Sequence, residues 1–484
     1  MGLTGMARSL LKAAAYSAAG ALVVLLVGFG LYLKSRPELT VWHQVDLDEE
    51  FTAASRIETF EDYLALEDRL FAQLEREVYA HTPGAGRSPI NRYARGSLSD
   101  PGRWSPNWNR SFELSTPTPK AGVLLLHGMS DSPYSLRALG QKLNAAGALV
   151  VGLRLPGHGT APSGLIEVTW RDMAAAEGLA MRHLAQKTNN RPLYIVGYSN
   201  GAALGVHYAL QTLEDPSLPK VAGLTLLSPA IGVSPAAALA VWQARIGHLL
   251  GLDQLAWTGV LPEYDPFKYG SFAVNAGDLV YRLTAEIQER LTALGKAGRL
   301  AGFPPVLAFA SVVDATVSTQ ALVEGLFQRL PGGGHELVLF DINRVAEMDP
   351  LLTWDPGPLV GALQNDPNRA FTLSLVTNAQ DHGRHVAVHS KPPGQTMTKT
   401  DLGLAWPDSV YSLSHVALPF PPEDPLYGGR PVERSPGLRL GNIALHGERG
   451  VLQISASDIL RLRWNPFFPY VEGRTLAFLG LNSD

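Results

Sequence analysis

Three side chains far apart in this 484-residue chain, Ser199, Asp314 and His415, could together carry out nucleophilic acyl transfer. Ser199 stands in Gly197-Tyr198-Ser199-Asn200-Gly201, where the apolar run 193–196 gives way to an Ala-rich, helix-like segment. A serine at a sharp strand-to-helix turn needs small neighbours two residues to either side, because the backbone there is strained and closely packed. The chain holds 48 glycines, so the five-residue pattern alone is weak and a serine in an ordinary turn is the plain alternative. The setting and the partners decide between them.

An acid is expected after a buried strand. In "SVVDATVS", Asp314 follows the apolar run 306–310; a carboxylate there is costly unless a donor such as an imidazole N–H meets it. Its alternative role is to cap a helix near Ser318. Asp341 and Glu347 are the reserves. A base is sought downstream, among His335, His382, His385, His389, His415 and His446. His415, in "YSLSHVALPFPP", has a hydroxyl-rich approach, a rigid proline-rich exit and a place after the last strand. In "DHGRHVAVH" the spacings of His382, His385 and His389 would suit a metal on one helical face. However, "HVAVH" alternates as a strand does and Gly383 opposes helix, so no metal is assigned. The backbone N–H groups of Met129, in "HGMSDSPYS", and of Asn200 are the candidate oxyanion donors. His127 and Gly128 shape the first of those loops, and His158 in "RLPGHGT" is a loop-positioning residue rather than the base. All three are expected on the substrate side. Asp131 could cap the helix that follows.

Something must bring these loops together. Apolar runs suited to buried parallel strands lie at 122–126, 148–153, 193–196, 221–227, 306–310, 337–340 and 371–376. Helix-like segments at 134–146, 169–186 and 202–213 alternate with the first of them. That rhythm predicts a mostly parallel sheet with helices on both faces, whose ligands bind beyond the carboxyl ends of the strands. Residues 236–301, including Trp242 and Trp257, are expected to form an inserted helical cap. Within 37–118, an extension, the segment 46–79 carries an amphipathic helical pattern and the remainder reads as loop.

At the amino end, residues 13–33 run without a charge, long enough at about 1.5 Å per residue to cross a bilayer core. "GLYLKSRPEL" offers no small-x-small cleavage site, so an uncleaved single-pass anchor is expected, with a basic amino end inside. The formal net charge of −4 gives no footprint for nucleic acid, and the absence of cysteine excludes disulfides and thiolate chemistry.

The motifs "LLLHGMSDSPYSLR", "RLPGHGT", "GYSNGAAL", "SVVDATVS" and "SLSHVALPF", in that order over residues 119–420, resemble those of the α/β-hydrolase superfamily. Within it they look like the branch of monoglyceride lipases, lysophospholipases and serine aminopeptidase-like (S33) hydrolases. The resemblance implies Ser199 as nucleophile, Asp314 as acid and His415 as base, with no cofactor. It departs from the usual pattern in the hundred residues between acid and base and in Asn200 after the serine. The expected organisation is an anchor over 1–36, an extension over 37–118, the first half of the hydrolase core over 119–232, a cap over 233–301 and the second half over 302–484. The expected activity is hydrolysis of an acyl or lipid-like ester, placed on the outer side of a bacterial inner membrane. An amide or peptide hydrolase, or an inactive binding protein on the same fold, are the rival readings.

Overall fold

The computed structural model describes residues 3–189, 191–232, 253–346, 349–380, 383–432, 435–441 and 453–482. At its centre is a ten-stranded sheet in the order β1-β3-β2-β4-β5-β8-β9-β10-β11-β12. Seven neighbouring strands run parallel: β3 (Ala148–Leu153), β2 (Ala121–Leu126), β4 (Leu193–Tyr198), β5 (Gly223–Leu227), β8 (Val306–Ser311), β9 (Glu336–Phe340) and β10 (Thr372–Asn378). Antiparallel strands finish both edges, β1 (Phe112–Leu114) on one side and β11 (His385–Lys391) with β12 (Thr398–Ala405) on the other. The strands β6 (Trp257–Gly259) and β7 (Phe272–Ala273) form a separate short ribbon.

Each central strand is apolar on both faces because helices cover both. On β2, Leu124 and Leu126 join the core on one side, with helices Trp170–Lys187 and Asn200–Glu214, while Val123 and Leu125 join the core on the other, with helices Tyr134–Ala145 and Phe468–Phe478. This alternation is the period-2 consequence of strand geometry. The register aligns Leu153, Leu126, Gly197, Leu226, Ala308 and Leu337 across six parallel strands. The loops after them therefore open on one edge.

Two expectations shift. The amphipathic pattern over 46–79 becomes a helix only at Phe60–Glu77, where the Thr59 hydroxyl caps the Asp62 N–H; residues 46–59 run as turns over the domain. Of the expected cap, 233–252 lies outside the described residues. The long helix Val274–Lys296 inserts Leu279, Leu283, Ile287 and Leu291 into the main core and packs along helix Asn200–Glu214, so this part of the segment is a flanking layer of the sheet. Its apolar face repeats every three to four residues and finds its partner there.

Candidate active site

Ser199 occupies the turn between β4 and helix Asn200–Glu214 with φ 53° and ψ −114°, a region that costs a non-glycine residue about 1–3 kcal/mol. The surroundings hold it there. Its N–H donates to the Leu227 carbonyl (2.9 Å), and its carbonyl accepts from the N–H groups of Ala202 (3.1 Å) and Ala230 (3.1 Å). A Cβ on Gly197 would meet the backbone of Ala202, and one on Gly201 would meet the carbonyls of Leu126 and His127. Both glycines of the motif are thus required by close backbone approach.

Asp314 leaves the end of β8 and is buried. Its Oδ2 accepts a hydrogen bond from His415 Nδ1 (2.9 Å), and its Oδ1 accepts the N–H groups of Thr316 (2.8 Å) and Val317 (3.1 Å). Burial pushes this carboxyl upward, but the His415 hydrogen bond and charge and the two amides prevail and hold it below the ordinary carboxylate range. His415 is buried in the short turn His415–Ala417. The ring of Tyr198, the residue before the serine, lies 5.2 Å from its ring. The fold therefore brings Asp314 and His415, the candidate acid and base, together across 101 residues of chain, at the sheet edge where Ser199 stands.

The loop after β2 passes beside the serine, where a Cβ on Gly128 would lie 3.3 Å from Ser199 Cβ. Among the described residues no acceptor meets the N–H of Met129 or of Asn200. Asn200 turns its side-chain amide to the Met173 sulfur (3.6 Å), which keeps that group apart from its backbone donor. His127 is buried: Nδ1 donates to the Gly128 carbonyl (2.9 Å) and Nε2 accepts the Leu155 N–H (3.0 Å), tying the loops after β2 and β3 together. Burial, with His158 and Arg154 nearby, drives its pKa well below the usual histidine range. His158 is likewise buried, bonded through Nδ1 to the Pro156 carbonyl (2.9 Å), and burial lowers it to about 4. Both imidazoles are neutral spacers between loops.

The other candidates go elsewhere. Asp341 pairs with Arg344 (2.8 Å) and accepts from Thr377 (2.8 Å), whereas Glu347, His382 and His446 lie outside the described residues. His385 and His389 sit on β11, and no group of three or more metal-ligating side chains occurs among the described residues. Asp131 does not cap the following helix; its Oδ1 accepts the neighbouring Ser132 N–H (2.9 Å). Residues not singled out by sequence also approach the site. Arg461 donates to Thr316 Oγ1 (2.6 Å), behind the acid loop, and Tyr269 N–H donates to the Ser130 carbonyl (2.8 Å), beside Met129. Neither carries a periodic or motif signal.

Residues 117–341 match the family described as serine aminopeptidase, S33. That stretch contains the parallel strands β2, β3, β4, β5, β8 and β9 of the central sheet. The chain is 29% identical over 117 residues to a thermostable monoacylglycerol lipase of Bacillus sp. (strain H-257); the match covers 24% of this chain and 44% of the relative. Solved structures similar to the chain include one from work on the metagenome-derived lipolytic enzymes LipS and LipT (24% identity, 48% of this chain and 87% of that chain, TM-score 0.37). A monoacylglycerol lipase of Paleococcus ferrophilus is also similar (19% identity, 48% and 88%, TM-score 0.36).

Proposed function

We propose that the protein is a serine hydrolase that cleaves carboxylic esters of acyl chains, held at a membrane by helix Leu3–Ser35. The observation carrying this reading is the hydrogen bond from His415 Nδ1 to the buried Asp314 carboxylate, with the ring of Tyr198, the residue before the strained Ser199, 5.2 Å from that imidazole. Asp314 fixes the tautomer that leaves Nε2 of His415 free as base. Ser199 Oγ attacks the ester carbonyl while its proton passes to that nitrogen, and Asp314 stabilises the imidazolium that results. The N–H groups of Met129 and Asn200 hold the oxyanion. Collapse breaks the ester bond, and the alcohol leaves with the proton from His415. Water then attacks the acyl-enzyme by the same route, regenerating Ser199. His127, Gly128 and His158 shape the substrate side of the mouth. The likeness to a monoacylglycerol lipase supports an acyl ester of a small alcohol, whereas the S33 description keeps an amide as the second reading.

Ser199→Ala should lower kcat on p-nitrophenyl butyrate and 1-lauroylglycerol by about 10⁴-fold or more, abolish labelling by a fluorophosphonate, and leave the melting temperature close to that of the parent. Undiminished hydrolysis in that variant would overturn the assignment. A dipeptide amide turned over faster than either ester would favour the second reading.

A further inference from the structure

Next to the site lies a cavity of about 160 Å³ lined by Asp131, Tyr264, Lys268, Tyr427, Arg461 and Arg463 among others. Two of its lining residues adjoin the site in sequence. Asp131 stands two residues beyond Met129, and Val416, which also lines the cavity, follows His415. At about 30 Å³ per water, a space of that size holds roughly five water molecules, enough for a phosphate or carboxylate group.

The charges around it are unevenly satisfied. Asp265 accepts the N–H groups of Phe267 (2.9 Å) and Lys268 (3.1 Å) on one oxygen and the Tyr427 hydroxyl (2.6 Å) on the other, and Asp458 accepts the Ser455 hydroxyl (2.7 Å). Asp131 is the third carboxyl; its Oδ1 accepts the Ser132 N–H (2.9 Å), and burial pushes it up to about 7 against the pull of Lys268. The cations have no such partners. Lys268 Nζ makes no hydrogen bond or ion pair among the described residues. Among the described residues Arg463 reaches only neutral oxygens, Tyr264 Oη (3.3 Å) and the Asp458 carbonyl (3.3 Å), and its Nε is buried with no acceptor. Arg461 meets a hydroxyl, Thr316 Oγ1. Three cationic heads converging without a paired carboxylate are stabilised by an incoming anion, and a guanidinium suits a phosphate or carboxylate in two-point contact.

Resting on the proposed ester hydrolysis, we propose that this cavity is an anion subsite: the substrate is an acyl ester whose alcohol part bears a phosphate or carboxylate, held by Lys268 and Arg463 while the ester carbonyl lies at Ser199. The acyl chain is apolar and brings no charge, so the anion belongs to the leaving alcohol. Asp131 bounds the cavity on the side of the oxyanion loop.

The test uses the full chain in neutral detergent micelles with 1-lauroylglycerol, its 3-phosphate, and the lauroyl ester of glycolate. The parent protein should show a KM for one or both anionic esters at least tenfold below that for 1-lauroylglycerol, and inorganic phosphate should compete with them. Lys268→Met, and separately Arg463→Gln, should raise the KM for the anionic ester about ten- to a hundredfold more than that for the neutral ester. Preference for the phosphate alone, or for both anions, identifies which group is taken; either outcome sustains the subsite. Equal KM values for neutral and anionic esters in the parent would overturn it, as would variants that shift all three substrates alike. The parent measurement holds even if Lys268→Met does not fold. Fluorophosphonate labelling of Ser199 with no anion preference would sink only the subsite, whereas absent labelling and turnover would sink the ester hydrolysis.

Discussion

Gly201 shows how little freedom the residues around the serine have. A methyl group there would press on the carbonyl oxygens of Leu126 and His127, which belong to the end of β2 and cannot retreat without disturbing the sheet edge. Gly201→Ala should therefore cost about 1–3 kcal/mol of stability and reduce ester turnover further than that loss explains, since the turn presenting Ser199 must shift. Chemical denaturation and initial rates on the same sample check this; a variant with unaltered stability would show the approach to be looser. Asp131 offers a pH-dependent counterpart. Burial is the main reason its carboxyl is pushed up to about 7, with Asp265 adding to the effect and Lys268 and the Ser132 amide opposing it. A carboxyl raised above its unfolded value favours the fold fully below about pH 4 and loses that contribution as the pH climbs through 7. Asp131→Asn keeps the acceptor for the Ser132 N–H and has no proton to lose, so it should gain stability over the parent between pH 4 and 7, by up to about 4 kcal/mol at 1.36 kcal/mol per pKa unit. Melting temperatures at pH 4.5 and 7.5 decide, and a difference that stays constant with pH would exclude the titration.

A buried guanidinium helps fasten helix Phe60–Glu77 and the turns before it to the α/β domain. Arg154, the residue after β3, donates to Glu50 (2.9 Å) and Glu67 (3.2 Å) and to the His158 carbonyl (3.1 Å); Glu50 also accepts the Gly157 N–H (2.9 Å). Burial pushes the Glu67 carboxyl upward while Arg154 and Ser111 draw it down. Arg154→Met strands Glu67 and should destabilise the protein by about 3–5 kcal/mol, and adding Glu67→Gln should restore part of that. A double variant no more stable than the single one would mean that the loop after β3, not the charge, is the seat of the damage. This clamp joins residues about a hundred positions apart by side-chain chemistry without periodicity, so it was not readable along the chain. The parallel strands were readable, because strands covered on both faces are unbroken apolar runs; so was Asp314, a carboxylate placed where only a partner would tolerate it. By contrast, β12 has most of its side chains exposed and shows no buried stripe, and the start of helix Phe60–Glu77 depended on a cap at Thr59 amid a longer amphipathic pattern. Lys268 and Arg463 were invisible for the same reason as the clamp: loops distant in sequence supply one cavity, and each cation alone reads as ordinary surface.

For the molecule as a whole, the question is what covers helix Leu3–Ser35. Its 22-residue apolar stretch Leu11–Tyr32 is unburied by the rest of the protein, and Leu22, Val24, Leu25 and Leu31 are all exposed. At 1.5 Å per residue the stretch spans about 33 Å, the thickness of a bilayer's hydrocarbon core, where a helix satisfies its own backbone. The chain leaving it is strapped to the α/β domain: Arg36 donates to the carbonyls of Gln254 and Trp257, and His43 Nε2 bonds Ser271 Oγ (2.9 Å) with its ring edge-on to Trp257. If the helix spans a bilayer, the ribbon of β6 and β7 lies close to the membrane surface, and a lipid-like ester has a short path to the site. Full-length protein should then sediment with membranes and be released by detergent but not by alkaline carbonate, with residues 1–36 retained in its intact mass. A version beginning at residue 37 should be soluble and keep turnover of p-nitrophenyl butyrate, but lose most activity on 1-lauroylglycerol presented in vesicles. Full-length protein extracted by carbonate, or a shortened version equally active on vesicles, would show that the helix neither spans a bilayer nor delivers substrate.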